Sequence, residues 1–319
     1  MRLLDKMMNK ESVILVTGAG GVLGYGILNA LEENGYSNVY APSRKEMDAL
    51  EPKSVSDYFK KVKPDFVFHL ASLVYGLKGN LDNQFKSLTN NTLINQNIIT
   101  ACKEYSVKKI FFAGTVASYA FPYKSMPLKE DDFLSGPPHE GEYGYAMAKR
   151  HALSYLHVLK KYHDIDFCYA LFTNIYGPND RFDTVNGHVI PSLIQKAFDA
   201  LSTTEKKLNV WGNAETTRDF LFNLDAGRYA LAAMNNYSGI LNVASGNETS
   251  MGDIVRAINL SFDNVLTIEW DPAGPVGISK RSIDTEKLKG IGVKCTSNLD
   301  DDIRHTIEWY KDNTTEIRK

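Results

Sequence analysis

The sequence is poor in cysteine and has no long apolar run, and both absences restrict what the protein can be. Its three cysteines, Cys102, Cys168 and Cys295, lie far apart in the 319-residue chain. Such a set fits neither a disulfide framework nor a zinc site, so we expect reduced thiols and no bound metal. No apolar segment approaches the roughly 18 residues needed to cross a bilayer, and the first dozen residues lack the apolar core of a signal peptide. We therefore expect a soluble cytoplasmic protein.

The chain also lacks an excess of charge of either sign. Lysine and arginine total 36 against 38 aspartates and glutamates, which gives a formal net charge of −2. This balance gives no reason to expect binding to nucleic acid or to an anionic membrane. Hydrophobic residues make up 43% of the chain and charged residues 23%, as in ordinary globular proteins. At this length the chain can form one large domain or two lobes.

Short apolar segments alternate with longer helical patterns in the first half of the chain. We predict strands at Val13–Thr17, Val39–Ala41, Phe66–Ala71, Lys109–Ala113 and Asp166–Phe172, and helices at Val22–Asn34, Val55–Val62, Ser87–Tyr105 and Tyr143–His163. Alternating strands and helices predict right-handed βαβ units that form a parallel sheet with helices on both faces. The fold class is therefore α/β.

The regular alternation ends after Gly177 and Pro178. Loops rich in Gly, Asn and Asp follow, with strand-like segments at Leu208–Trp211, Ile240–Val243 and Val265–Trp270. We interpret this part as a smaller lobe, with the segment near 219–244 returning to the main sheet. The predicted domains are thus residues 1–174, together with that returning segment, and residues 175–319.

A glycine-rich turn joins the first strand to the first helix. The residues Gly18, Ala19, Gly20, Gly21, Val22, Leu23 and Gly24 directly follow the apolar strand. Gly18 permits a tight turn, Gly21 lets backbone amides approach a pyrophosphate, and Gly24 allows the helix to pack closely. The amino end of the helix then faces the anion. Strand, spaced glycines and helix in this order predict a dinucleotide-binding Rossmann fold, which is a doubly wound parallel sheet.

The end of the second strand indicates which dinucleotide is bound. NAD-binding enzymes usually carry an acidic residue there for the ribose hydroxyls, whereas this chain has Ser43 and Arg44. A hydroxyl beside a guanidinium suits a 2′-phosphate, which favours NADP(H) over NAD(H). Asp48 lies close enough in sequence to contact the adenosine, so NAD(H) stays open as the alternative.

Tyr145 and Lys149 form the pair most directly connected with catalysis. They are four residues apart in a predicted helix and therefore share one face. An ammonium beside a phenol stabilises the phenolate, so we expect Lys149 to lower the pKa of Tyr145 and let it transfer a proton. Together with a hydride carrier, this pair would interconvert a carbonyl and an alcohol.

These motifs give the chain a resemblance to the extended short-chain dehydrogenase/reductases, the NAD-dependent epimerase/dehydratase family, over nearly its full length. The shared motifs are the glycine turn, Phe68 to Ser72, Asn91, Gly114 to Tyr119, and Tyr145 to Lys149. Within the family the chain looks most like the GDP-L-fucose synthases (GDP-4-keto-6-deoxymannose epimerase/reductases), through Ser43 to Glu46, Thr173 to Asp180, Asn186 to Pro191, Val210 to Gly212 and Arg218 to Leu221. The resemblance implies an oxidoreductase site between a Rossmann domain and a smaller C-terminal lobe that binds a nucleotide sugar.

The resemblance also implies roles for individual residues. Thr115, Tyr145 and Lys149 would be catalytic, with Thr115 holding the reacting oxygen, and His188 would be an acid/base group in contact with the substrate. Beyond the glycine turn, the implied cofactor-binding residues are Ser43, Arg44, Asp48, Leu70, Ala71, Ser72, Asn91, Tyr145, Lys149, Phe172, Asn174 and Ile175. The implied substrate-binding residues are Thr115, Asn174, His188, Val189, Lys196, Trp211, Arg218 and Arg281, of which Lys196 and the arginines would hold the diphosphate. The alternatives are a core position for Trp211 and a surface position for His188.

Two departures from the family pattern bear on the reaction. Where the GDP-L-fucose synthases have a cysteine two residues after the catalytic Ser, this chain has Ala117, which cannot transfer a proton. The Asp-Glu pair of the related dehydratases is replaced by Val116 and Ala117. We therefore expect redox chemistry without double epimerisation or dehydration.

The leading hypothesis is an NADP-dependent oxidoreductase acting at C4 of a GDP-linked 4-keto-6-deoxy hexose or heptose. One alternative is an NAD-dependent C4 dehydrogenase or epimerase that retains NAD(H). Another is a non-catalytic NADP-sensing protein, although such proteins commonly lose the Tyr or the Lys that this chain keeps. The resemblance further implies a homodimer in which helices Ser87–Tyr105 and Tyr143–His163 form a four-helix contact.

Overall fold

The computed structural model describes residues 7–75, 77–184, 187–272, 280–294, 296 and 298–314, so that Asn186 and Cys295 lie outside the described residues. Its strands are Ile14–Thr17 (β1), Val39–Tyr40 (β2), Phe66–His69 (β3), Lys109–Thr115 (β4), Asp166–Phe172 (β5), Asn174–Tyr176 (β6), Lys207–Trp211 (β7), Thr217–Arg218 (β8), Phe220–Phe222 (β9), Gly239–Val243 (β10), Thr249–Ser250 (β11) and Thr267–Asp271 (β12). Its α-helices are Val22–Glu33 (α1), Pro52–Val62 (α2), Leu77–Asp82 (α3), Gln84–Glu104 (α4), Tyr143–His163 (α5), Val189–Leu201 (α6), Asn223–Asn236 (α7), Met251–Leu260 (α8), Glu286–Lys289 (α9) and Leu299–Asp312 (α10).

Six parallel strands form the central sheet, in the order β10-β5-β4-β3-β1-β2. The predicted α/β fold with a doubly wound parallel sheet is therefore confirmed. Strand β10 pairs with β5, with Gly239 opposite Cys168, so the chain does return to the sheet from its C-terminal part. Strand β3 ends at His69, earlier than predicted, and the residues that follow it form a loop at the edge of the sheet.

The strands of the central sheet are largely apolar because helices cover both of its faces. In β4, Ile110 and Phe112 belong to one core cluster, whereas Phe111 and Ala113 belong to the other, since successive side chains of a strand point to opposite faces. The first cluster includes buried residues of α2, α4 and α5, and the second includes residues of α1 and α7. A strand covered on both sides has no face for polar residues.

A third core cluster lies in the C-terminal part and joins α6, α8 and α10 to β7. The prediction of mainly loops and isolated strands after Gly177 is wrong here, because α6, α7, α8 and α10 are regular helices. In α6 the buried residues Ile190, Leu193, Ile194 and Ala197 follow helical spacing. The glycines and asparagines on which the prediction rested lie largely in the connections. No helix in the described part of the chain is long and apolar enough to span a membrane.

Helix α7 ties the C-terminal part to the glycine turn. Asn223, its first residue, donates from Nδ2 to the carbonyl oxygens of Val22, at 3.0 Å, and Pro178, at 2.8 Å. Helices α1 and α7 touch through Gly26 and Gly227, where a Cβ on Gly26 would lie 1.8 Å from the carbonyl oxygen of Asn223. This contact fixes the loop after β6 against the turn that ends β1.

Candidate active site

A cavity of about 1190 Å³ opens at the carboxyl ends of the parallel strands, where α/β proteins of this topology bind ligands. Most of the predicted site residues line it: Gly18, Gly20, Gly21, Val22, Leu23, Gly24, Ser43, Arg44, Asp48, Leu70, Ala71, Ser72, Thr115, Tyr145, Lys149, Phe172, Asn174, Ile175, His188, Val189 and Arg281. The residues predicted for the cofactor and those predicted for catalysis therefore face one shared space.

Four predicted site residues, Asn91, Lys196, Trp211 and Arg218, do not line this cavity. Asn91 is buried behind the wall and holds it in place. Its Oδ1 accepts hydrogen bonds from the backbone N–H of Leu73, at 2.7 Å, and from the hydroxyl of Ser72, at 2.9 Å. Its Nδ2 donates to the carbonyl oxygen of Leu73 at 3.0 Å. Asn91 thus shapes the loop after β3 rather than facing the cavity.

Lys196 and Trp211 lie side by side outside the cavity. The Lys196 ammonium is 4.1 Å from the centre of the Trp211 ring, and such a contact between a cation and an aromatic face is favourable. Trp211 is 55% exposed, so the alternative that places it in the core is wrong. Contact of this pair with a substrate stays a prediction.

Two guanidinium groups lie near each other at this site, those of Arg281, which lines the cavity, and Arg218, which does not line it. Arg281 lines the cavity, and its Nε donates to the hydroxyl of Tyr123 at 2.7 Å. Burial, followed by the positive charge of Arg281, lowers the pKa of Arg218, which indicates that the two arginines are close. Paired guanidinium groups are suited to a diphosphate.

The glycine turn has the shape that a pyrophosphate requires. Gly18 has a φ of +71°, and a Cβ there would lie 2.6 Å from the backbone nitrogen of Ala71, so both the turn and the close approach of the next loop require glycine. A Cβ on Gly20 would have no atom within 4 Å, which leaves open space beside the turn. Helix α1 begins at Val22 without a side-chain cap, so its first N–H groups remain available to an anion.

Ser43 and Arg44 line the cavity next to this turn, at the end of β2. The Ser43 backbone N–H and hydroxyl both donate to Glu46 Oε2 at 2.8 Å. Arg44 is paired with Asp48, with 3.2 Å between Nε and Oδ2, and its side chain is 74% exposed. Because Asp48 engages Arg44, the carboxylate helps to hold the guanidinium in place, and the remaining Arg44 donors suit a phosphate.

A buried chain of hydrogen bonds beneath the cavity connects the elements that form it, and sequence reasoning missed this network. His69, the last residue of β3, is 2.8 Å from the hydroxyl of Thr17 through Nδ1 and 3.0 Å from Oδ1 of Asn95 through Nε2. Asn95 Nδ2 in turn donates to the carbonyl oxygen of Ala148 at 3.2 Å. Burial lowers the pKa of His69 to about 3, so the ring is neutral. The network joins β1, β3, α4 and α5 below the site.

Thr115 is the last residue of β4 and begins a 3₁₀ turn over Val116–Ser118. Its hydroxyl oxygen accepts a hydrogen bond from the backbone N–H of Ala117 at 3.1 Å. This bond fixes the rotamer of Thr115 and leaves the hydroxyl proton to be donated to a ligand oxygen. Thr115 and Ala117 both line the cavity.

Tyr145 and Lys149 lie on the face of α5 that lines the cavity. The expectation that Lys149 lowers the pKa of Tyr145 is wrong for this structure. Burial raises the pKa of Tyr145 to about 12, against a smaller lowering effect of Ser72, and burial lowers the pKa of Lys149 to about 7. The Lys149 ammonium donates to the carbonyl oxygen of Ala113 at 2.8 Å and lies 5.6 Å from the centre of the phenol ring. The ammonium is thus directed at the strand, and the phenol is protonated at neutral pH.

His188 immediately precedes α6 and lines the cavity. Its Nδ1 is 3.8 Å from Oδ1 of the buried Asp180. The placement agrees with the predicted contact with a substrate, and that role stays a prediction.

Several charged residues of the cavity were missed by sequence reasoning, namely Lys86, Glu142, Asp180 and Arg181. Glu142 could have been found, because a residue three positions before Tyr145 shares its helix face. Asp180 and Arg181 belong to the loop after β6, and the sequence pattern alone does not indicate which way such a loop turns. Asn179 in this loop donates to the carbonyl oxygen of Gly20 at 3.3 Å, which closes the cavity on that side.

Comparison with known proteins identifies relatives along the whole chain. A GDP-L-fucose synthase of Dictyostelium discoideum is 32% identical over 317 residues, which cover 97% of this chain and 98% of the relative. A GDP-L-colitose synthase of Yersinia pseudotuberculosis is 31% identical over 302 residues, with 93% and 97% covered. The crystal structure of a GDP-L-fucose synthetase from Naegleria fowleri bound to NADP has a TM-score of 0.90 and 26% identity, and covers 98% of this chain and 96% of that one.

The pattern of the NAD dependent epimerase/dehydratase family matches residues 14–244, which include the glycine turn, Thr115, Tyr145, Lys149 and His188. This range spans more than half of the chain and includes all six strands of the central sheet. The resemblance inferred from the motifs is confirmed, and the chain belongs to the NAD dependent epimerase/dehydratase family.

Proposed function

We propose that this protein is an NADPH-dependent reductase that converts a keto group at C4 of a GDP-linked sugar into a hydroxyl group. The observation that carries the proposal is the single cavity that Tyr145 and Thr115 line together with the glycine turn. The curated relatives are GDP-L-fucose and GDP-L-colitose synthases, which supports a GDP-linked 4-keto hexose or heptose as the substrate.

NADP(H) fits the residues on the side of the cavity formed by the glycine turn, Ser43 and Arg44. The backbone N–H groups at the start of α1 would bind the pyrophosphate, and Ser43 and Arg44 would bind the 2′-phosphate. A related protein of known structure is bound to NADP, which supports the same choice here. When bound, the nicotinamide supplies the hydride that reduces C4. By the family resemblance, Lys149, which lines the cavity, would hold the ribose next to the nicotinamide.

The proton in this reaction comes from Tyr145. Reduction of a ketone leaves negative charge on its oxygen, and a neutral phenol within hydrogen-bond reach neutralises it by giving up its proton. Thr115 donates its hydroxyl proton in a hydrogen bond to the same oxygen and keeps it next to the phenol. Because burial raises the pKa of Tyr145, the phenol carries its proton at neutral pH, as a proton donor must.

Ala117 supports reduction alone over epimerisation. Inversion of a carbon requires a proton donor and a proton acceptor on opposite sides of the sugar. His188 supplies one such group, but Ala117 occupies the position that carries the partner cysteine in the GDP-L-fucose synthases. The substrate should therefore leave with the same configuration at C3 and C5 as it entered.

Replacement of Tyr145 by Phe tests the proposal. We expect NADPH-dependent reduction of GDP-4-keto-6-deoxymannose to fall at least about 100-fold, because the proton donor is lost, while NADPH binding, followed by fluorescence titration, changes little. Unchanged turnover in the variant would contradict the role of Tyr145. Release of firmly bound NAD(H) on denaturation of the wild-type protein would instead favour a dehydrogenase or epimerase.

We also propose a homodimer formed through α4 and α5. The two helices pack against each other, and their outer faces carry exposed apolar residues, among them Phe85, Leu93, Val158 and Tyr162. Phe85 is 81% exposed, which is unusual for a large aromatic side chain. The mass in solution, measured by light scattering, should be that of two chains. A Phe85→Asp variant should shift it towards one chain, and a monomeric wild-type protein would contradict the proposal.

A further inference from the structure

Glu142 is a charged residue of the cavity that lies between the catalytic Tyr145 and the guanidinium group of Arg281. It immediately precedes α5 and lies three residues before Tyr145, so its side chain is on the same face as the phenol. On its other side, its Oε2 is 3.8 Å from Nη2 of Arg281. Glu142, Tyr145 and Arg281 all line the cavity. The carboxylate therefore stands between the reacting end of the site and the guanidinium groups.

The electrostatic effects of Glu142 agree with this intermediate position. After burial, the negative charge of Glu142 contributes to raising the pKa of Tyr145. The same charge also contributes to raising the pKa of Tyr123, the residue that accepts a hydrogen bond from Arg281. The carboxylate of Glu142 thus lies near both Tyr145, which lines the cavity, and Tyr123, which binds Arg281.

The carboxylate of Glu142 makes an ion pair with Arg281 but accepts no hydrogen bond among the described residues. Glu142 is the N-cap residue of α5, but its side chain makes no capping hydrogen bond. Its distance of 3.8 Å from Arg281 is longer than a hydrogen bond, and no closer partner is present in the part of the chain that the structure describes. Its side chain is only 22% exposed. A half-buried carboxylate with unused acceptor oxygens is suited to a ligand that donates hydrogen bonds.

The charge of Glu142 determines which part of a nucleotide sugar it can contact. A diphosphate bound at Arg281 and Arg218 would be repelled by a carboxylate, whereas sugar hydroxyls donate hydrogen bonds to it. In a nucleotide sugar the diphosphate is attached at C1, so the hydroxyl-bearing carbons C2 and C3 lie between the diphosphate and the reacting carbon C4. We propose that Glu142 binds hydroxyl groups of the sugar and is a residue that determines specificity for it. This inference rests on the proposed function and adds a contact on the sugar to it.

The test compares two ligands that share the diphosphate and differ by the sugar, GDP and GDP-mannose. Their dissociation constants are measured by calorimetry for the wild-type protein and for Glu142→Ala and Glu142→Gln. Loss of a hydrogen bond to a charged group should weaken GDP-mannose about 10-fold to 100-fold in Glu142→Ala. GDP should bind equally well or more tightly, because a negative charge next to Arg281 has been removed. The Gln variant keeps one acceptor oxygen and should show a smaller loss of GDP-mannose affinity.

Glu140→Gln is the matched control, because it removes the same charge from the same short 3₁₀ segment at an exposed position outside the cavity. It should leave both affinities unchanged, and NADPH binding should be equal in all variants. Equal weakening of GDP and GDP-mannose in Glu142→Ala would mean that Glu142 only positions Arg281, and would overturn the proposal. No change for either ligand would overturn it as well. If the wild-type protein binds neither ligand, the proposed function itself fails and the assignment of Glu142 fails with it.

Discussion

Replacement of Lys149 by Met should make the ligand-free protein more stable at neutral pH while it removes activity. Lys149 is 2% exposed, and its ammonium faces a single carbonyl oxygen rather than a carboxylate. Burial lowers its pKa from 10.5 to about 7. Methionine has a similar length and fills the same space without a charge. The site thus contains a lysine that the catalytic cavity needs and that the empty fold would be more stable without.

The size of the effect follows from the pKa of Lys149. The difference between 10.5 and about 7 is about 3.5 units, and each unit corresponds to about 1.4 kcal/mol. The protonated ammonium is therefore disfavoured in the folded protein by up to about 5 kcal/mol. Part of this penalty is relieved by water entering the open cavity, and so we expect Lys149→Met to raise the free energy of unfolding by about 2–5 kcal/mol at pH 7.

The pH dependence of this gain has a definite sign. Between pH 7 and 10.5 the unfolded chain keeps a proton on Lys149 that the folded chain has released, so the stability of the wild-type protein rises with pH in this window. At pH 7 and below, the wild-type protein bears nearly the whole free-energy cost of the buried ammonium. At pH 9 only the difference between 9 and 10.5 counts, about 1.5 pH units, which corresponds to about 2 kcal/mol. The advantage of the Met variant should therefore shrink as the pH rises.

Calorimetric unfolding of both proteins without ligand, at pH 6.5 and at pH 9, measures this advantage. Lys109→Met is the matched control, because Lys109 is also buried but lies 3.8 Å from the carboxylate of Asp166 and donates to the carbonyl oxygen of Tyr237 at 2.7 Å. Loss of that paired lysine should destabilise the protein by about 1–3 kcal/mol. A Lys149→Met variant that is less stable than the wild-type protein at pH 6.5 would refute the reasoning about its burial.

The remaining predictions concern the cofactor and the packing of the helices. Arg44→Ala should raise the dissociation constant of NADPH about 10-fold to 100-fold and leave that of NADH almost unchanged, because only NADPH carries the 2′-phosphate; equal losses for both cofactors in titrations would contradict the assignment. Gly26→Ala should lower the free energy of unfolding by about 3 kcal/mol, since its Cβ would lie 1.8 Å from the carbonyl oxygen of Asn223. Gly20→Ala, whose Cβ has no neighbour within 4 Å, should unfold like the wild-type protein and bind NADPH more weakly, as binding and melting measurements can show.

The parts of the fold that the sequence predicted well are those with a strong and simple pattern. Strand β5 and helix α5 have the predicted bounds, Asp166–Phe172 and Tyr143–His163. Both are long, and β5 is apolar because it is buried on both faces. Helix α6 has equally good spacing of apolar residues, but it follows a loop rich in Gly and Asn, and the composition of that loop outweighed the periodicity in the prediction. In this region the spacing of apolar residues indicates the secondary structure better than local composition does.

Most of the residues that the sequence motifs predicted do line the candidate site. The motifs did not predict the chemical properties of those residues that depend on the packing around them. Tyr145 and Lys149 do share the cavity, as their spacing predicted. Their pKa values could not be predicted, because these depend above all on burial, which the packing of other elements around them determines. The spacing of Glu142 from Tyr145 could have indicated its place in the cavity, whereas its proximity to Arg281, far away in sequence, could not be predicted.

The central claim is that a hydride passes to C4 of a GDP-linked sugar, and its most direct test follows that hydride. The purified protein is given GDP-4-keto-6-deoxymannose and NADPH that carries deuterium in place of both hydrogens at C4 of the nicotinamide, and the product is analysed by NMR spectroscopy. We predict one deuterium at C4 of the sugar and unchanged configuration at C3 and C5. A sugar without deuterium, or one recovered with its keto group intact, would contradict the proposed function.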